Sequence, residues 1–270
     1  MRKKLALYCL QAVKRLSAGR EIARYLGTTE DRKLNIGAQT NVLPGWLNVD
    51  LLPFPGVTYM DATKRWPLPD GAFDILLCEH MIEHVPKHAA QFVLAEAWRV
   101  AAPGARIRVV TPDMTSFARL ALDPGTPGAA AYVDIIRARH PGVSHCDIVN
   151  MIYYGYGHRY IFSPAELTAM MGRAGFTDIR ETRASYPVDP AFRGAEGHPR
   201  LLGAEQNAFE AFALEASKAA AGRESGAPET GEAAGPGYAP QDGSRPAAAA
   251  SEAPTALAYA PMPSSPRTPR

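Results

Sequence analysis

Short apolar runs, each closing on a glycine, an acid or a Thr-Pro pair, constrain this chain more than any other feature. Lys33-Leu34-Asn35-Ile36 ends at Gly37, Trp46-Leu47-Asn48-Val49 at Asp50, and Val57-Thr58-Tyr59-Met60 at Asp61. Phe73 to Leu77 runs into Cys78-Glu79-His80, and Arg106 to Val110 closes on Thr111-Pro112. Between these last two, Phe92, Leu94, Ala95, Trp98 and Val100 mark a helix that Pro103-Gly104 should stop. Phe176 to Arg183 and Ala208 to Ala216 supply a sixth and a seventh strand. Strands alternating with helices and bounded by Gly and Pro predict an α/β chain with a mostly parallel, doubly wound sheet.

Three further segments complete the organisation. Residues 1–32 form an N-terminal amphipathic helical segment: Leu5, Tyr8, Ala12, Val13 and Leu16 recur at helical spacing, and Lys4, Lys14, Arg15, Arg20 and Arg24 fill the other face. Such a helix either packs on the edge of the domain or lies on an anionic membrane surface. Residues 113–160, rich in Gly, Pro and Tyr, read as an insertion or lid within a domain spanning 33–218. Ser163-Pro164-Ala165-Glu166 then opens a helix, with Ser as N-cap and Pro at the first helical position, and Gly175 closes it. From 219 to 270 the sequence is Ala, Pro, Gly, Ser and Glu, with too little aliphatic surface to offset ordering, and reads as a disordered tail.

Composition excludes several classes. A net charge of +2 argues against a nucleic-acid binder. Cys9, Cys78 and Cys146 are an odd, scattered set with no metal spacing, which suits a reducing, cytoplasmic setting and no structural metal. No apolar run reaches the ~20 residues of a membrane span. The Lys- and Arg-led first residues look like a signal peptide only superficially, because Gln11, Lys14 and Arg15 cut the apolar stretch short.

In a doubly wound sheet, ligands bind beyond the carboxyl ends of the strands, where strand order reverses. Gly37 lets backbone approach a ligand. Asp50 is placed to accept both hydroxyls of a ribose, and Asp61 to accept from an exocyclic adenine amine. Gly and Asp are also ordinary turn residues, so it is their joint spacing that carries weight.

The stretch from Leu34-Asn35-Ile36-Gly37 through Leu43-Pro44-Gly45-Trp46 to Asp50 resembles predicted S-adenosylmethionine-dependent methyltransferases of bacterial glycan and cell-envelope genes. So do Leu68 to Asp74, Glu79-His80-Met81-Ile82-Glu83-His84-Val85, Glu96 to Val100 with Pro103 to Arg106, Ser163 to Phe176, and Phe209 to Ala216. The resemblance covers about residues 33–217. It implies a Rossmann-like, seven-stranded sheet whose last strand is antiparallel, with S-adenosylmethionine across the tips of the first four strands. It places Gly37, Ala38 and Gln39 at the methionine part, Asp50 at the ribose, Asp61 and Ala62 at the adenine, and Cys78 and Glu79 at the methionine end. It also turns His84 toward the cleft. The usual Gly-x-Gly-x-Gly is here Gly37-Ala38-Gln39-Thr40-Asn41, and twelve residues separate Gly37 from Asp50, so any intervening helix must be very short. Gln39 either turns outward, replaces a cofactor contact with its amide, or marks a lost site.

His80-Met81-Ile82-Glu83-His84 also fits the inverted zinc-protease pattern, but that needs a sustained helix and a third ligand, and Pro86 follows at once. Tyr153-Tyr154-Gly155-Tyr156-Gly157-His158-Arg159-Tyr160 suits either a ring-stacking lid or tyrosines packed on the sheet. Asp113, His145 and Asp147 are further polar candidates without a distinguishing pattern. The leading expectation is methyl transfer from S-adenosylmethionine to an O or N nucleophile of a small-molecule or glycan acceptor, with His158 or His84 taking the proton. The alternative is a non-catalytic Rossmann-like interaction module. A nicotinamide-dependent dehydrogenase is disfavoured by the missing glycines.

Overall fold

The structure, a computed structural model, describes residues 2–220, with side chains from residue 10 onward. The expected tail, beyond its first two positions, lies outside the described residues. Seven strands form one sheet: β1 Lys33–Ile36, β2 Leu47–Asp50, β3 Thr58–Tyr59, β4 Phe73–Glu79, β5 Ala101–Pro112, β6 Thr177–Arg183 and β7 Ala211–Ser217. Their order is β3-β2-β1-β4-β5-β7-β6. The pairs from β3 through β5 are parallel, and β7 runs antiparallel to both β5 and β6. This is the Rossmann-like sheet with an antiparallel last strand. Strand order reverses between β1 and β4, so the crevice for a ligand opens there.

The helices are α1 Arg2–Thr28, α2 Lys87–Val100, α3 Met114–Leu122, α4 Pro127–Arg139, α5 His145–Tyr154, α6 Pro164–Ala174, α7 Pro199–Leu202 and α8 Ala204–Glu210. Leu34 and Ile36 of β1, Phe73 and Leu76 of β4, and Ile107 and Val109 of β5 are buried, the near-continuous apolar content of strands covered on both faces. The start of β5 differs from expectation. α2 stops at Val100, and Pro103-Gly104 falls inside β5, where the β4–β5 register shifts between Phe73 and Ile75. α8 likewise takes Ala208 to Glu210 from the expected seventh strand, which begins at Ala211.

No helix joins β1 to β2. Buried Asn35 and Asn48 hold that connection instead. Asn48 accepts the Leu43 N–H at 2.9 Å and donates to the Leu43 and Trp46 carbonyls, while Asn35 donates to Asn48 Oδ1 and to the Asn41 carbonyl. Two side-chain amides thus satisfy a loop that would otherwise carry orphaned backbone groups.

α1 packs by a different face from the one its apolar periodicity picks out. Ala18 and Ile22 are buried, Lys14 donates to the Val57 carbonyl, and Glu21 accepts from Thr58. Val13 is 61% and Leu16 83% exposed. Residues 113–160 fold as α3, α4 and α5 around their own apolar cluster, including Phe117, Leu120, Tyr132, Ile136 and Ile148. Asp113 is the N-cap of α3, and Asp147 closes a capping box with Ser144 at the start of α5, where His145 is the first helical residue. These three polar candidates lie at helix starts.

Ser163 caps α6 by accepting the Glu166 N–H, but the Glu166 carboxylate reaches Lys87 at 2.6 Å rather than back to the cap. Gly175 ends α6 at φ +104, and its carbonyl accepts from Trp98 of α2, so the two helices are locked where the chain turns. In the sheet interior, fully buried Arg108 bonds Glu196, Glu215, Thr182 and the Arg183 carbonyl. A buried guanidinium is tolerated because each side of it meets an acceptor. Through Glu196 this network fixes the connection between β6 and β7.

Candidate functional site

The tips of β1, β2 and β4 build the floor of the site. Gly37 adopts φ +74, and a Cβ there would lie 2.5 Å from Met81 Cβ and closer still to its Cγ, so only glycine admits Met81. Gly37 and Ala38 both donate to the Val49 carbonyl, which seats the loop on β2. Gln39 takes a left-handed conformation at φ +43, and its N–H donates to Asp50 Oδ2 at 3.0 Å. Its side chain is half-buried, and its amide bonds no other described residue.

Asp50 is 8% exposed. Its Oδ1 accepts the Leu52 N–H at 2.7 Å, and burial pushes its carboxyl above the ordinary range against the pull of these backbone donors and of His84. Each oxygen keeps one further acceptor position, the acceptor pattern that a pair of donating vicinal hydroxyls needs. Asp61 is engaged locally: Oδ1 accepts from the Thr63 N–H and hydroxyl, and Oδ2 pairs with Lys64 at 2.7 Å. Burial would raise its carboxyl, but Lys64 and Thr63 hold it low. Ala62 is half-buried, and its carbonyl accepts from the Trp66 indole at 3.0 Å.

The two residues expected at the methionine end differ in what surrounds them. The Cys78 thiol lies in the apolar core, where burial pushes it up, because β4 alternation turns it with Leu76 away from the cleft. The Glu79 carboxylate is spent on the chain itself. It accepts from Asn41 Nδ2 at 3.1 Å and from the N–H groups of Gly197 and His198 at 2.8 and 2.9 Å. Residues 195–198 thus lie as a strap against the tips of β1 and β4. A Cβ at Gly197 would meet Asn41 Cγ at 2.7 Å, so glycine is required for that approach.

After β4, His80 sits at φ +45, and Ile82–His84 make a single 3-10 turn. The sustained helix of the inverted zinc pattern does not form, and the two histidines part. His84 meets His158 edge-on at 4.9 Å between ring centroids, whereas His80 stacks on His198 at 3.9 Å. Glu83 lies buried between the two pairs, with Oε2 accepting from Thr111 and Oε1 3.2 Å from His80 Nδ1. Burial alone would raise the Glu83 carboxyl, but the His80, His84 and His158 rings hold it at about 2. Burial would likewise lower His80, but Glu83, Glu210 and Glu79 raise it to about 9.

The segment carrying His158 is tied to this turn, since the N–H groups of Arg159 and Tyr160 both donate to the Glu83 carbonyl. Tyr153 packs on the α3–α5 cluster and Tyr160 on Phe162, while Tyr154 and Tyr156 are exposed. His158 Nδ1 bonds the Ile152 carbonyl, which leaves Nε2 as the available nitrogen, and burial lowers its pKa.

His198 and Glu210 are not singled out as site residues by the sequence: they stand more than a hundred residues from His80, and Glu210 reads only as part of the expected last strand. His80, His198 and Glu210 nonetheless bring one ligand atom each within 4.8 Å of the others.

Residues 46–109 match the model of a methyltransferase-domain family. They span β2 through most of β5. A S-adenosylmethionine-dependent methyltransferase from Archaeoglobus fulgidus aligns over 77% of this chain and 94% of its own, at 15% identity and a TM-score of 0.43. One from Methanosarcina mazei aligns over 74% and 97%, at 14% identity and 0.40. Phosphoethanolamine N-methyltransferase 2 of Haemonchus contortus, solved with phosphomonomethylethanolamine and S-adenosylhomocysteine, aligns over 74% and 52%, at 15% and 0.42. No curated protein sequence matches the chain.

Proposed function

We propose that this methyltransferase domain transfers a methyl group from S-adenosylmethionine to an oxygen or nitrogen nucleophile of a small-molecule or glycan acceptor. The methyltransferase-domain match, which takes in the strands whose tips carry Asp50 and Asp61, is the observation that carries this reading. The residues at the ribose position fit the cofactor: Asp50 is held rigid by two backbone donors and retains acceptor capacity on both oxygens. When bound, the cofactor supplies an electrophilic sulfonium methyl. The left-handed turn at Gln39 brings backbone rather than a second glycine to that part of the cleft, and its unpaired amide is free to serve a cofactor group.

The chain's own contribution is to orient the acceptor and remove its proton. His158 is held in one tautomer by the Ile152 carbonyl, and burial keeps it neutral near pH 7, so Nε2 is ready to accept a proton. His84 stands beside it, close enough to Asp50 to influence its charge. Together they make the acceptor side of the cleft.

One observation favours the alternative of a non-catalytic module. The strap fills the Glu79 carboxylate at the methionine end. Calorimetric titration with S-adenosylmethionine and S-adenosylhomocysteine separates the two. Binding of both supports the enzyme, and binding of neither, by a folded chain, leaves the module.

Two further parts of the reading concern location. No described helix is long and apolar enough to cross a membrane. Exposed Leu10, Val13 and Leu16 beside the basic residues of α1 support peripheral contact with an anionic membrane surface, which co-sedimentation with anionic and neutral vesicles tests. Free Cys78 and Cys146 suit the cytoplasm.

A further inference from the structure

We propose that His80, His198 and Glu210 form a binding site for a divalent transition-metal ion of the zinc class, beside the methyl-transfer cleft and distinct from the residues assigned to that function. Three segments distant in sequence converge on it: the end of β4, the strap, and the end of α8. Nitrogen atoms point into it without partners. His80 Nε2 and His198 Nε2 are both buried from solvent and lack a hydrogen bond, although His198 Nε2 lies 3.2 Å from Glu210 Oε1. Two neighbouring buried imidazole nitrogens that make no hydrogen bond, one of them facing a carboxylate at 3.2 Å, are a costly arrangement that a cation binding both nitrogens in place of any proton would relieve.

The surroundings prepare these donors for a metal. His80 Nδ1 faces Glu83 Oε1 at 3.2 Å, the carboxylate–histidine arrangement that fixes the proton on one nitrogen and leaves the other as a ligand. The second oxygen of Glu210 accepts the Tyr132 hydroxyl at 2.7 Å, which orients the carboxylate. The strap that carries His198 is itself anchored, by Glu79 through the Gly197 and His198 N–H groups and by Arg108 through Glu196. Two imidazoles and one carboxylate are a zinc donor set with a fourth position left for water, whereas calcium and magnesium take oxygen ligands. A tetrahedral zinc holds its donors about 3.4 Å apart. The Glu210–His198 pair is already at 3.2 Å, and all three ligand atoms lie within 4.8 Å of one another.

The second group of that composition, Glu83, His84 and His158, is a weaker candidate. Glu83 Oε2 is bonded to Thr111, His158 Nδ1 is bonded to the Ile152 carbonyl, and neither His84 nor His158 holds a buried nitrogen without a partner.

The test uses the full chain without a histidine tag, stripped by chelator and titrated calorimetrically with Zn2+. Metal content is measured after gel filtration. One zinc per chain is expected, with a raised melting temperature and, for the Co2+ form, visible absorption of a low-coordinate site. His198→Ala and Glu210→Gln should weaken zinc binding by at least the ~10–100-fold that loss of a mere partner behind a ligand brings. His158→Ala should leave it unchanged. Should His198→Ala or Glu210→Gln fail to fold, Tyr132→Phe carries the test, with an expected loss of about 10–100-fold. Absence of retained zinc in the wild type overturns the proposal, as does unchanged affinity in Tyr132→Phe. Loss on His158→Ala with His198→Ala unaffected places the ion at the other group and overturns it equally.

Discussion

The Asp50 carboxylate accepts the backbone N–H of Gln39 across the cleft floor at 3.0 Å, and with that bond it sets the conformation of the loop that replaces a glycine-rich turn. Asp50 therefore has two tasks, shaping the loop and meeting the ribose. Asp50→Ala should weaken S-adenosylhomocysteine binding roughly ten- to 150-fold, the ~1.5–3 kcal/mol of hydrogen bonds to a charged group. It should also lower stability by about 1–3 kcal/mol, because the Gln39 and Leu52 N–H groups lose their acceptor. Calorimetry and urea unfolding measure the two effects separately. Unchanged affinity in a destabilised variant would leave Asp50 only the first task.

His158→Ala should separate acceptor from cofactor. The His158 ring touches His84 and bonds the Ile152 carbonyl, and no described contact joins it to the β1–β3 tips. Cofactor affinity should stay within about twofold. Turnover with an identified acceptor should fall by the ~10²–10⁴ that a general base contributes. Unchanged turnover would make His158 a packing residue and shift the base role to His84.

The sequence already displayed the parts of this fold that repeat a local rule. The ends of β1 to β4 lie at or within two residues of Gly37, Asp50, Asp61 and Cys78-Glu79, and Ser163 and Gly175 bracket α6, because strand tips and helix caps demand particular residue types. What was hidden depended on partners far along the chain. Asn35 and Asn48 look like polar residues interrupting apolar runs until their amides are seen to hold residues 41–46. Glu79 looked like a cleft residue, but the strap that claims its carboxylate comes 118 residues later. The packed face of α1 was hidden for a similar reason. Its Leu and Val periodicity is local, whereas its packing is decided by Ala18 and Ile22 and by bonds to β3 and its flank.

The loop from Trp66 to Asp70 should make the fold sensitive to acid. Buried Glu96 accepts from Arg99 at 2.7 and 2.8 Å, from Arg65 at 2.6 Å and from the Trp66 N–H at 2.8 Å. Burial would raise its carboxyl, but Arg99, the Trp66 N–H and Arg65 hold it below its ordinary 4.5. A carboxyl lower in the folded than in the unfolded state stabilises the fold above the unfolded value, and that contribution is lost as pH falls toward the folded one. Glu96→Gln should cost about 1–3 kcal/mol near pH 7, because Arg99 and Arg65 lose the buried one of the two carboxylates they share and keep only exposed Asp70. The gap from wild type should narrow below pH 4.5. Urea midpoints across pH measure it, and a gap independent of pH would mean that the charge of Glu96 contributes nothing.

Gly37 and Met81 form a steric pair that a double substitution can resolve. Two costs attend Gly37→Ala: the left-handed backbone at φ +74, and a Cβ placed 2.5 Å from Met81 Cβ. The first is intrinsic, about 1–2 kcal/mol for a non-glycine residue. The second must be relieved by moving Met81, and with it the turn that carries Glu83 and His84. Gly37→Ala alone should therefore destabilise by more than ~2 kcal/mol and weaken cofactor binding. Introduced into a Met81→Gly background, the same change should cost less than in the wild type, because both the Cβ and the Cγ that it would strike are gone. Such non-additivity is expected of residues in contact. Additive free energies in the four-variant cycle, read from urea unfolding, would instead assign the glycine requirement to the backbone conformation and leave Met81 without a part in it.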